Sequence, residues 1–379
     1  MGIYSDYLDR LHNFESVSNE RKKVLRKISE LRGGHDILVY AVDTNKRAPF
    51  SIDNSDIIPF TDLLSDLKGT ECIDIVLHTP GGLADVVQKL VIAIRNKYKN
   101  VSVIVPGMAM SAGTIFSMSA NEILMGKTSS LGPIDAQIVS GGKQYSAEAF
   151  LSGVEKIKEE VQKTGKLNPV YIPILQNITP GELQEYENVQ ELSKALVKDW
   201  LVKYKFSDWN VDNKKKEERA EEIAKELGKH SRWLTHSRPL GIEELRALKL
   251  KIADYTENPE LNDAITRYFV LLAMTFDQSG IFKLYETADK QIARFVNPPA
   301  PVPNPVKQEK HEVLNIPFVC PNCHQPVMLQ GNFDNNTPTV PGAIHFPNDN
   351  FLTCPHCKAR HNLQALRMNI EAQIRRKIL

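Results

Sequence analysis

Residues 101–115, Val-Ser-Val-Ile-Val-Pro-Gly-Met-Ala-Met-Ser-Ala-Gly-Thr-Ile, predict a buried strand that runs straight into a turn of small residues, with Ser111 at its apex. Glycine and alanine in such an elbow let backbone amides approach a ligand closely, and the sharp turn lifts a hydroxyl out of the sheet. Ser111 is therefore a candidate nucleophile. The alternative is that a small residue is needed there only to pack a helix against the sheet.

A second turn of the same kind lies upstream. Residues 74–82, Asp-Ile-Val-Leu-His-Thr-Pro-Gly-Gly, predict a hydrophobic strand that ends in an exposed backbone corner. One strand end then offers backbone amides and the other offers a serine, an arrangement that suits acyl transfer. The alternative for Gly81 and Gly82 is a plain turn at the end of a strand.

Short apolar strands alternate with helices around these two turns. Strands are predicted at 36–42, 72–78, 101–105 and 122–125, and helices at 58–67 and 84–97. This alternation is typical of an α/β fold with a mostly parallel sheet covered by helices on both faces. Ligand sites of such sheets lie beyond the carboxyl ends of the strands, where Gly81 and Ser111 fall.

Composition sets limits on function and location. The chain has 379 residues, 42% of them hydrophobic, enough for a full α/β core and a small second domain. Its net charge of +1 gives no global argument for a nucleic-acid or anionic-membrane partner. No apolar run approaches the ~18 residues of a membrane span, and residues 1–7 lack the pattern of a signal peptide. We therefore expect a cytoplasmic protein without a membrane span.

Several motifs together resemble one known family. They are His-Thr-Pro-Gly-Gly at 78–82, Val-Pro at 105–106, Ala-Met-Ser-Ala-Gly-Thr at 109–114, Asn-Glu-Ile at 121–123, Leu-Gly-Pro-Ile-Asp-Ala-Gln at 131–137 and Trp-Leu-Thr-His-Ser-Arg-Pro-Leu at 233–240. This set resembles the serine dehydrogenase proteinase family, which is grouped with signal peptide peptidase A and the Clp proteolytic subunit in the ClpP/crotonase superfamily. The resemblance covers roughly residues 35 to 255. It implies a ClpP/crotonase-like core, a homo-oligomer, and a serine-type peptidase that forms an acyl-enzyme on Ser111.

The resemblance leaves two alternatives for the base that activates the serine. His236 lies in the Thr-His element, and an imidazole is suited to neutral pH, with Asp135 to orient it. Asp135 sits about where the Clp subunit has its catalytic histidine, so the order of the triad differs. Alternatively, signal peptide peptidases use a lysine, and Lys163 and Lys166 follow Ser111 at a similar spacing. Such a lysine must be desolvated, whereas most lysines are simply solvated.

The oxyanion hole is predicted at backbone amides. The candidates are the amide of Gly81 or Gly82 together with that of Ala112, the residue after the nucleophile. His230 and His78 are interpreted as packing or hydrogen-bonding residues.

Two CxxC pairs near the C-terminus predict a metal site. Cys320 and Cys323 form one pair, and Cys354 and Cys357 form the other. Four thiolates at this spacing close a tetrahedral site without an open position, which predicts one structural Zn²⁺ per chain in a zinc ribbon. The rival ligands are His324, His356 and His361. A redox-active pair would need a thioredoxin-like context that this region lacks.

The sequence thus predicts five segments. They are an N-terminal helix at 1–34, a ClpP/crotonase-like serine peptidase domain at 35–296, a proline-rich linker at 297–314, a zinc ribbon at 315–362 and an amphipathic helix at 363–379. The last helix carries Arg367 and three further basic residues and is a candidate docking element for a partner protein.

Two functions of different classes follow from these segments. The first is a cytoplasmic serine peptidase that hydrolyses peptide bonds in a protein or peptide substrate. The second is a non-catalytic assembly or adaptor protein that recruits partners through the zinc ribbon and the last helix. A nucleic-acid partner is disfavoured, because no aromatic and basic residues alternate along the chain.

Overall fold

A computed structural model describes residues 2–140, 143–296, 313–334 and 337–379. The predicted linker at 297–314 falls almost wholly outside these ranges, so the predicted segment boundaries stay predictions. The described chain divides into two compact units, one formed by residues 27–265 and 283–292 and the other by residues 1–26, 266–282 and 293–379. None of its helices is long and apolar enough to cross a membrane.

The regular elements are numbered in chain order. The α-helices are α1 (Ile3–Arg10), α2 (Phe14–Leu31), α3 (Ile57–Asp66), α4 (Ala84–Lys97), α5 (Ala112–Met118), α6 (Ala147–Thr164), α7 (Ile172–Leu175), α8 (Pro180–Trp200), α9 (Asn213–Gly228), α10 (His230–Trp233), α11 (Ile242–Ala247), α12 (Pro259–Gln278) and α13 (Gln364–Ile374). The strands are β1 (Asp36–Val42), β2 (Cys72–His78), β3 (Asn100–Val105), β4 (Met108–Ala109), β5 (Glu122–Met125), β6 (Ser130–Leu131), β7 (Gln137–Ser140), β8 (Lys143–Ser146), β9 (Ala253–Asp254), β10 (Ile281–Glu286), β11 (Gln291–Phe295), β12 (Val313–Val319), β13 (Pro326–Asn332), β14 (Ala343–His345), β15 (Phe351–Thr353) and β16 (Arg360–Asn362).

The central sheet is mostly parallel, as predicted. Its strand order is β11-β10-β1-β2-β3-β5-β9, and the pairs β1·β2, β2·β3, β3·β5 and β5·β9 are parallel. Strand β10 pairs with β1 in the antiparallel sense. The predicted strands and the helices α3 and α4 are confirmed within two residues at each end.

Burial explains why these segments form strands and helices. The interiors of β2 and β3 are buried residue after residue, since the sheet is covered on both faces. Helix α4 buries Val86, Val87, Leu90, Val91 and Ile94, spaced as one face of a helix. This packing fixes the sheet, and with it the strand ends that carry the two turns.

Residues 313–334 and 337–379 form a small module within the unit that also contains residues 1–26 and 266–282. Strands β12, β13 and β14 form one sheet, β15 and β16 form a hairpin, and both contribute to a cluster that includes Leu329, Phe346, Leu352 and Ile378. Helix α13 belongs to the same module, because Arg367 is buried and donates to Asn350 Oδ1 (2.6 Å) and to Pro347 O (2.9 Å). Arg367 therefore stabilises the module from inside rather than extending the basic surface.

Candidate active site and cysteine centre

The elbow predicted at Ser111 is present and has unusual backbone geometry. Ser111 immediately precedes α5 and has φ 51° and ψ −118°, a region that residues with a side chain rarely adopt. Its hydroxyl makes no capping bond to the helix, and the residue is half-buried. Strained backbone of this kind is held in place by its surroundings and occurs preferentially at functional sites.

The glycine turn lies directly against the elbow. Thr79 N donates to Met108 O and Met110 N donates to Thr79 O, each at 2.9 Å, so the end of β2 is bridged to the start of the elbow. A Cβ atom on Gly81 would lie 2.6 Å from Met110 O and 2.7 Å from the Ser111 Cβ. Only glycine therefore fits at position 81 without displacing the serine.

The amides near Ser111 differ in whether they are free. Gly81 N donates to Thr79 Oγ1 at 3.1 Å, so that amide is already engaged. Gly82 is exposed, and its amide has no acceptor within the described ranges. The hydrogen bonds to Ile52 are formed by the residues on either side: Gly81 O accepts from Ile52 N, and Leu83 N donates to Ile52 O. The amide of Ala112 stands at the first position of α5, where a helix offers no acceptor.

Asp135 collects a cluster of hydrogen-bond donors. Its carboxylate is buried and accepts from His236 Nδ1 (2.7 Å), His230 Nδ1 (2.8 Å) and Gln137 Nε2 (2.9 Å). Burial by itself raises the pKa of Asp135, but the hydrogen bonds and charges of His236 and then His230 outweigh it and lower the pKa. In a neutral ring, an Nδ1–H that donates to Asp135 leaves Nε2 as the acceptor, the form that a general base needs.

Strand register brings this cluster to the edge of the sheet that carries the elbow. Strand β4 pairs with β6 in parallel, and Leu131 of β6 bridges to Leu240 in the antiparallel sense. Ser111 follows β4, Asp135 follows β6, and His236 precedes Leu240. All three positions therefore leave this small sheet at the same edge.

The hydroxyl of Thr114 ties α5 to this sheet. It accepts from Gly132 N and donates to Ala109 O, both at 2.9 Å. The first turn of the helix behind Ser111 is thereby fixed to the loop that leads to Asp135.

The two candidate lysines lie on a different element. Lys163 is in the last turn of α6, is exposed, and stands 3.8 Å from Glu159. Lys166 is exposed in the turn that follows Gly165. No hydrogen bond or ion pair joins either lysine to Ser111 in the described part of the chain, and the same holds for His236. The two kinds of candidate differ in burial, because both lysines are exposed whereas His236 is half-buried.

Two further histidines differ in their roles. His78 Nδ1 accepts from Met108 N at 3.3 Å, and burial lowers the pKa of His78 to about 4, against the opposing charge of Asp43. It is thus a neutral hydrogen-bonding residue beside the elbow, as predicted. His230 is likewise a hydrogen-bonding residue, as predicted, but nothing in its sequence context indicates its partner, the carboxylate that His236 also binds.

The four cysteines form one cluster. The Sγ atoms of Cys320, Cys323, Cys354 and Cys357 all lie within 4.8 Å of one another. Each CxxC pair folds in the same way: His324 N donates to Cys320 O (2.8 Å) and Lys358 N donates to Cys354 O (3.0 Å). The residue after each pair is left-handed, with φ 57° at His324 and 65° at Lys358. The four thiols are thus arranged to hold a metal ion.

A histidine stands beside this cluster without belonging to it. His361 Nε2 lies 3.2 Å from Cys320 Sγ. That distance suits a hydrogen bond to a ligand sulfur, the kind of outer contact that orients a metal ligand.

Known proteins with similar sequences were found. Two uncharacterized proteins of Methanocaldococcus jannaschii are 31% and 32% identical over 180 and 183 residues, 48% of this chain in each case. The chain spans about half the length of these relatives, 51% and 53%.

Two solved structures were matched as well. Both are mutants of the 1510-N membrane-bound stomatin-specific protease, one of them in complex with a substrate peptide. The mutant without peptide matches with a TM-score of 0.35 and 17% identity over 56% of this chain and 79% of that chain. The complex matches with a TM-score of 0.32 and 14% identity over 63% and 79%.

The family comparison covers the part of the chain that holds the elbow, the glycine turn and the Asp135 cluster. The model described as ClpP-like SDH-type serine proteinase matches residues 11–262, about two thirds of the sequence. The chain therefore belongs to the ClpP-like SDH-type serine proteinase family.

Proposed function

We propose that the protein is a serine peptidase that cleaves peptide bonds through an acyl-enzyme on Ser111. The observation that supports the proposal is topological: the strained serine elbow and the segments that carry the buried Asp135–His236 pair leave β4, β6 and Leu240 at the same end of this small sheet. A nucleophile, a base and a group that orients the base are the minimum set for this chemistry.

His236 acts as the base. Its Nε2 takes the Ser111 hydroxyl proton as Oγ attacks the substrate carbonyl carbon, and it returns that proton to the leaving amine when the C–N bond breaks. A water molecule then attacks the acyl ester, gives its proton to the same nitrogen, and releases the acid with Ser111 restored. We prefer His236 to His230 because His236 is in the segment that Leu240 pairs to β6, whereas His230 begins α10.

The oxyanion is stabilised by the amides of Gly82 and Ala112. The engagement of Gly81 N by Thr79 Oγ1 disfavours Gly81 as a donor. Gly81 instead keeps the space beside Ser111 clear. Lys163 and Lys166 are the second candidates for the base, and their exposure disfavours them, since a lysine base must be desolvated.

The cysteine cluster holds one structural Zn²⁺ in this proposal. Two complete CxxC pairs supply four thiolates, the donor set that Zn²⁺ prefers in closed sites. With no vacant position, the metal would supply folding free energy to the module and take no part in hydrolysis. The module is then free to recruit a protein partner, which keeps the adaptor role as an addition to catalysis.

Location and assembly complete the proposal. Cysteines that hold a metal and form no disulfide suit a reducing compartment such as the cytoplasm. A homo-oligomer is supported by the exposed apolar side chains between α6 and α8, among them Val170 (70% exposed) and Ile174 (51%).

Hydrolysis of unstructured fluorogenic peptides by the wild type and by Ser111→Ala tests the proposal. We expect the substitution to lower kcat by at least ~10⁴-fold, while the circular dichroism spectrum and melting temperature stay unchanged. Turnover by a folded S111A variant equal to that of the wild type would refute the assignment.

A further inference from the structure

A buried lysine lies close to the glycine turn. Lys283, on β10, is only 1% exposed, although a buried ammonium group is costly unless it is paired. Its Nζ donates to Ser51 O (2.7 Å), Asp53 Oδ2 (3.1 Å) and Asp56 Oδ1 (2.8 Å). All three hydrogens of the ammonium therefore have acceptors.

Asp56 is the centre of the cluster. It is fully buried and accepts from Lys283, from Asp53 N (2.8 Å), from Tyr40 OH (3.0 Å) and from Tyr285 OH. Burial, followed by the charge of Asp56, raises the pKa of Tyr40 well above its ordinary value, so this hydroxyl remains a donor. Hydrogen bonds from Ser55 and Lys283 lower the pKa of Asp53 despite its partial burial. Asp56 and Lys283 are thus saturated with hydrogen bonds.

The cluster holds both sides of one residue, Ile52. Lys283 Nζ donates to the backbone carbonyl of Ser51 and to the carboxylate of Asp53. These two residues precede and follow Ile52 in the chain. The backbone of Ile52 in turn holds the glycine turn, because Ile52 N donates to Gly81 O (2.8 Å) and Ile52 O accepts from Leu83 N (2.9 Å).

The proposed oxyanion donor lies between those two bonds. Gly82 forms a parallel bridge with Ile52, and a Cβ atom on Gly82 would collide with the Ile52 backbone. A small displacement of Ile52 would therefore move the Gly82 amide directly. Misplacing a reacting group by about 1 Å can cost on the order of 100-fold in rate.

We propose that Lys283 and Asp56 are positioning residues for the oxyanion hole, acting through Ile52 on the amide of Gly82. This inference rests on the proposed peptidase function. A purely structural role is the alternative. A buried ion pair adds little stability over an apolar pair of the same volume, so stability alone does not account for it.

The test uses the full-length protein with both charges removed, Lys283→Met together with Asp56→Asn, so that no unpaired charge is left buried. The matched control is Lys290→Met, on the turn after β10, where an exposed lysine pairs with Asp66 at 2.6 Å. We expect kcat for peptide hydrolysis to fall about 10- to 100-fold in the double variant, with KM changed less than about twofold. The K290M control should retain wild-type kcat.

A second readout separates positioning from general stability. A peptide aldehyde forms a tetrahedral adduct with a catalytic serine and presents an oxyanion. In the double variant, the Ki of the aldehyde should rise by about the same factor as kcat falls. The Kd of an uncleaved peptide, measured after Ser111→Ala is added to both the wild type and the double variant, should stay unchanged. Wild-type kcat and Ki in a folded double variant would overturn the inference.

Two further outcomes are informative. If the double variant does not fold, Tyr285→Phe removes one donor to Asp56 without burying a charge, and it should still lower kcat about threefold or more at unchanged KM. An unchanged kcat in Y285F would then overturn the positioning role of Lys283 and Asp56. If the wild type itself shows no hydrolysis that depends on Ser111, the proposed function fails. If the wild type is active and the folded double variant is equally active, only the positioning role of Lys283 and Asp56 fails.

Discussion

The peptidase core and the cysteine module both place a chemical group on a tight turn with a left-handed residue, but they assemble their sites differently. In the proposed active site, Ser111 at φ 51° acts together with Gly82, Asp135 and His236, which lie far apart in the sequence. The module repeats one short knuckle twice, with φ 57° at His324 and 65° at Lys358, and clusters four sulfurs. The proposed active site depends on the whole sheet, whereas the proposed zinc site depends on two local loops.

The identity of the general base is tested by comparing the two histidines that bind Asp135. His236→Ala should lower kcat by about 10³- to 10⁴-fold, since the serine loses its proton acceptor. His230→Ala should cost far less, on the order of 10-fold, because Asp135 keeps its bonds from His236 and Gln137. Steady-state kinetics at neutral pH measure both.

The lysines provide the matched comparison for this pair. The double change Lys163→Ala and Lys166→Ala should leave kcat within about twofold of the wild type, because both side chains are solvated. Loss of activity in this variant, with His236→Ala active, would show that the site is of the Ser-Lys kind.

The second prediction breaks the cysteine module without touching the core. Purified protein should contain about one zinc ion per chain, and Cys354→Ser should lose it and expose residues 313–379 to limited proteolysis. The metal is worth on the order of 10 kcal/mol to so small a module. Hydrolysis of a short peptide should survive, and a metal-free tail that resists proteolysis would contradict the zinc ribbon.

The third prediction concerns the fit between the glycine turn and the elbow. Gly81→Ala should lower kcat at least about 10-fold and the free energy of unfolding by about 1–3 kcal/mol, because φ is 102° and the new methyl group meets Met110 O and the Ser111 Cβ. The control is Gly153→Ala in α6, where nothing lies within 4 Å. That change should be neutral or stabilise by up to ~1 kcal/mol.

The fourth prediction uses the pH dependence of stability. The pKa of Asp135 is lower in the folded protein than the ~3.9 of an unfolded chain. The contribution of Asp135 to the free energy of unfolding is therefore fully present above the unfolded pKa and is lost as the pH falls through the folded pKa. Asp135→Asn should therefore destabilise the protein at pH 7 more than at pH 3. Urea denaturation at the two pH values measures this difference, and equal destabilisation at both would contradict the ionised, histidine-paired Asp135.

Local patterns predicted some features better than others. The strands, the serine elbow and the two CxxC pairs depend on neighbouring residues, so the sequence alone placed them. The engagement of Gly81 N by Thr79, the second histidine on Asp135 and the Lys283 cluster depend on which side chains the fold brings together. Asp135 and His236 were paired in advance only because the family resemblance suggested it. Arg367 was expected on a basic surface, but it lies inside the module, satisfied by backbone carbonyls that no pattern indicates.

The most direct test of the central claim is labelling with a fluorophosphonate probe, followed by mass spectrometry of the labelled peptide. We predict one adduct, on Ser111. It should form at the wild-type rate in the Lys163→Ala, Lys166→Ala double variant and in the Cys354→Ser variant, and about 100-fold more slowly in the His236→Ala variant. A folded wild-type protein that acquires no label on Ser111, or that labels equally fast without His236, would contradict the Ser111–His236–Asp135 assignment.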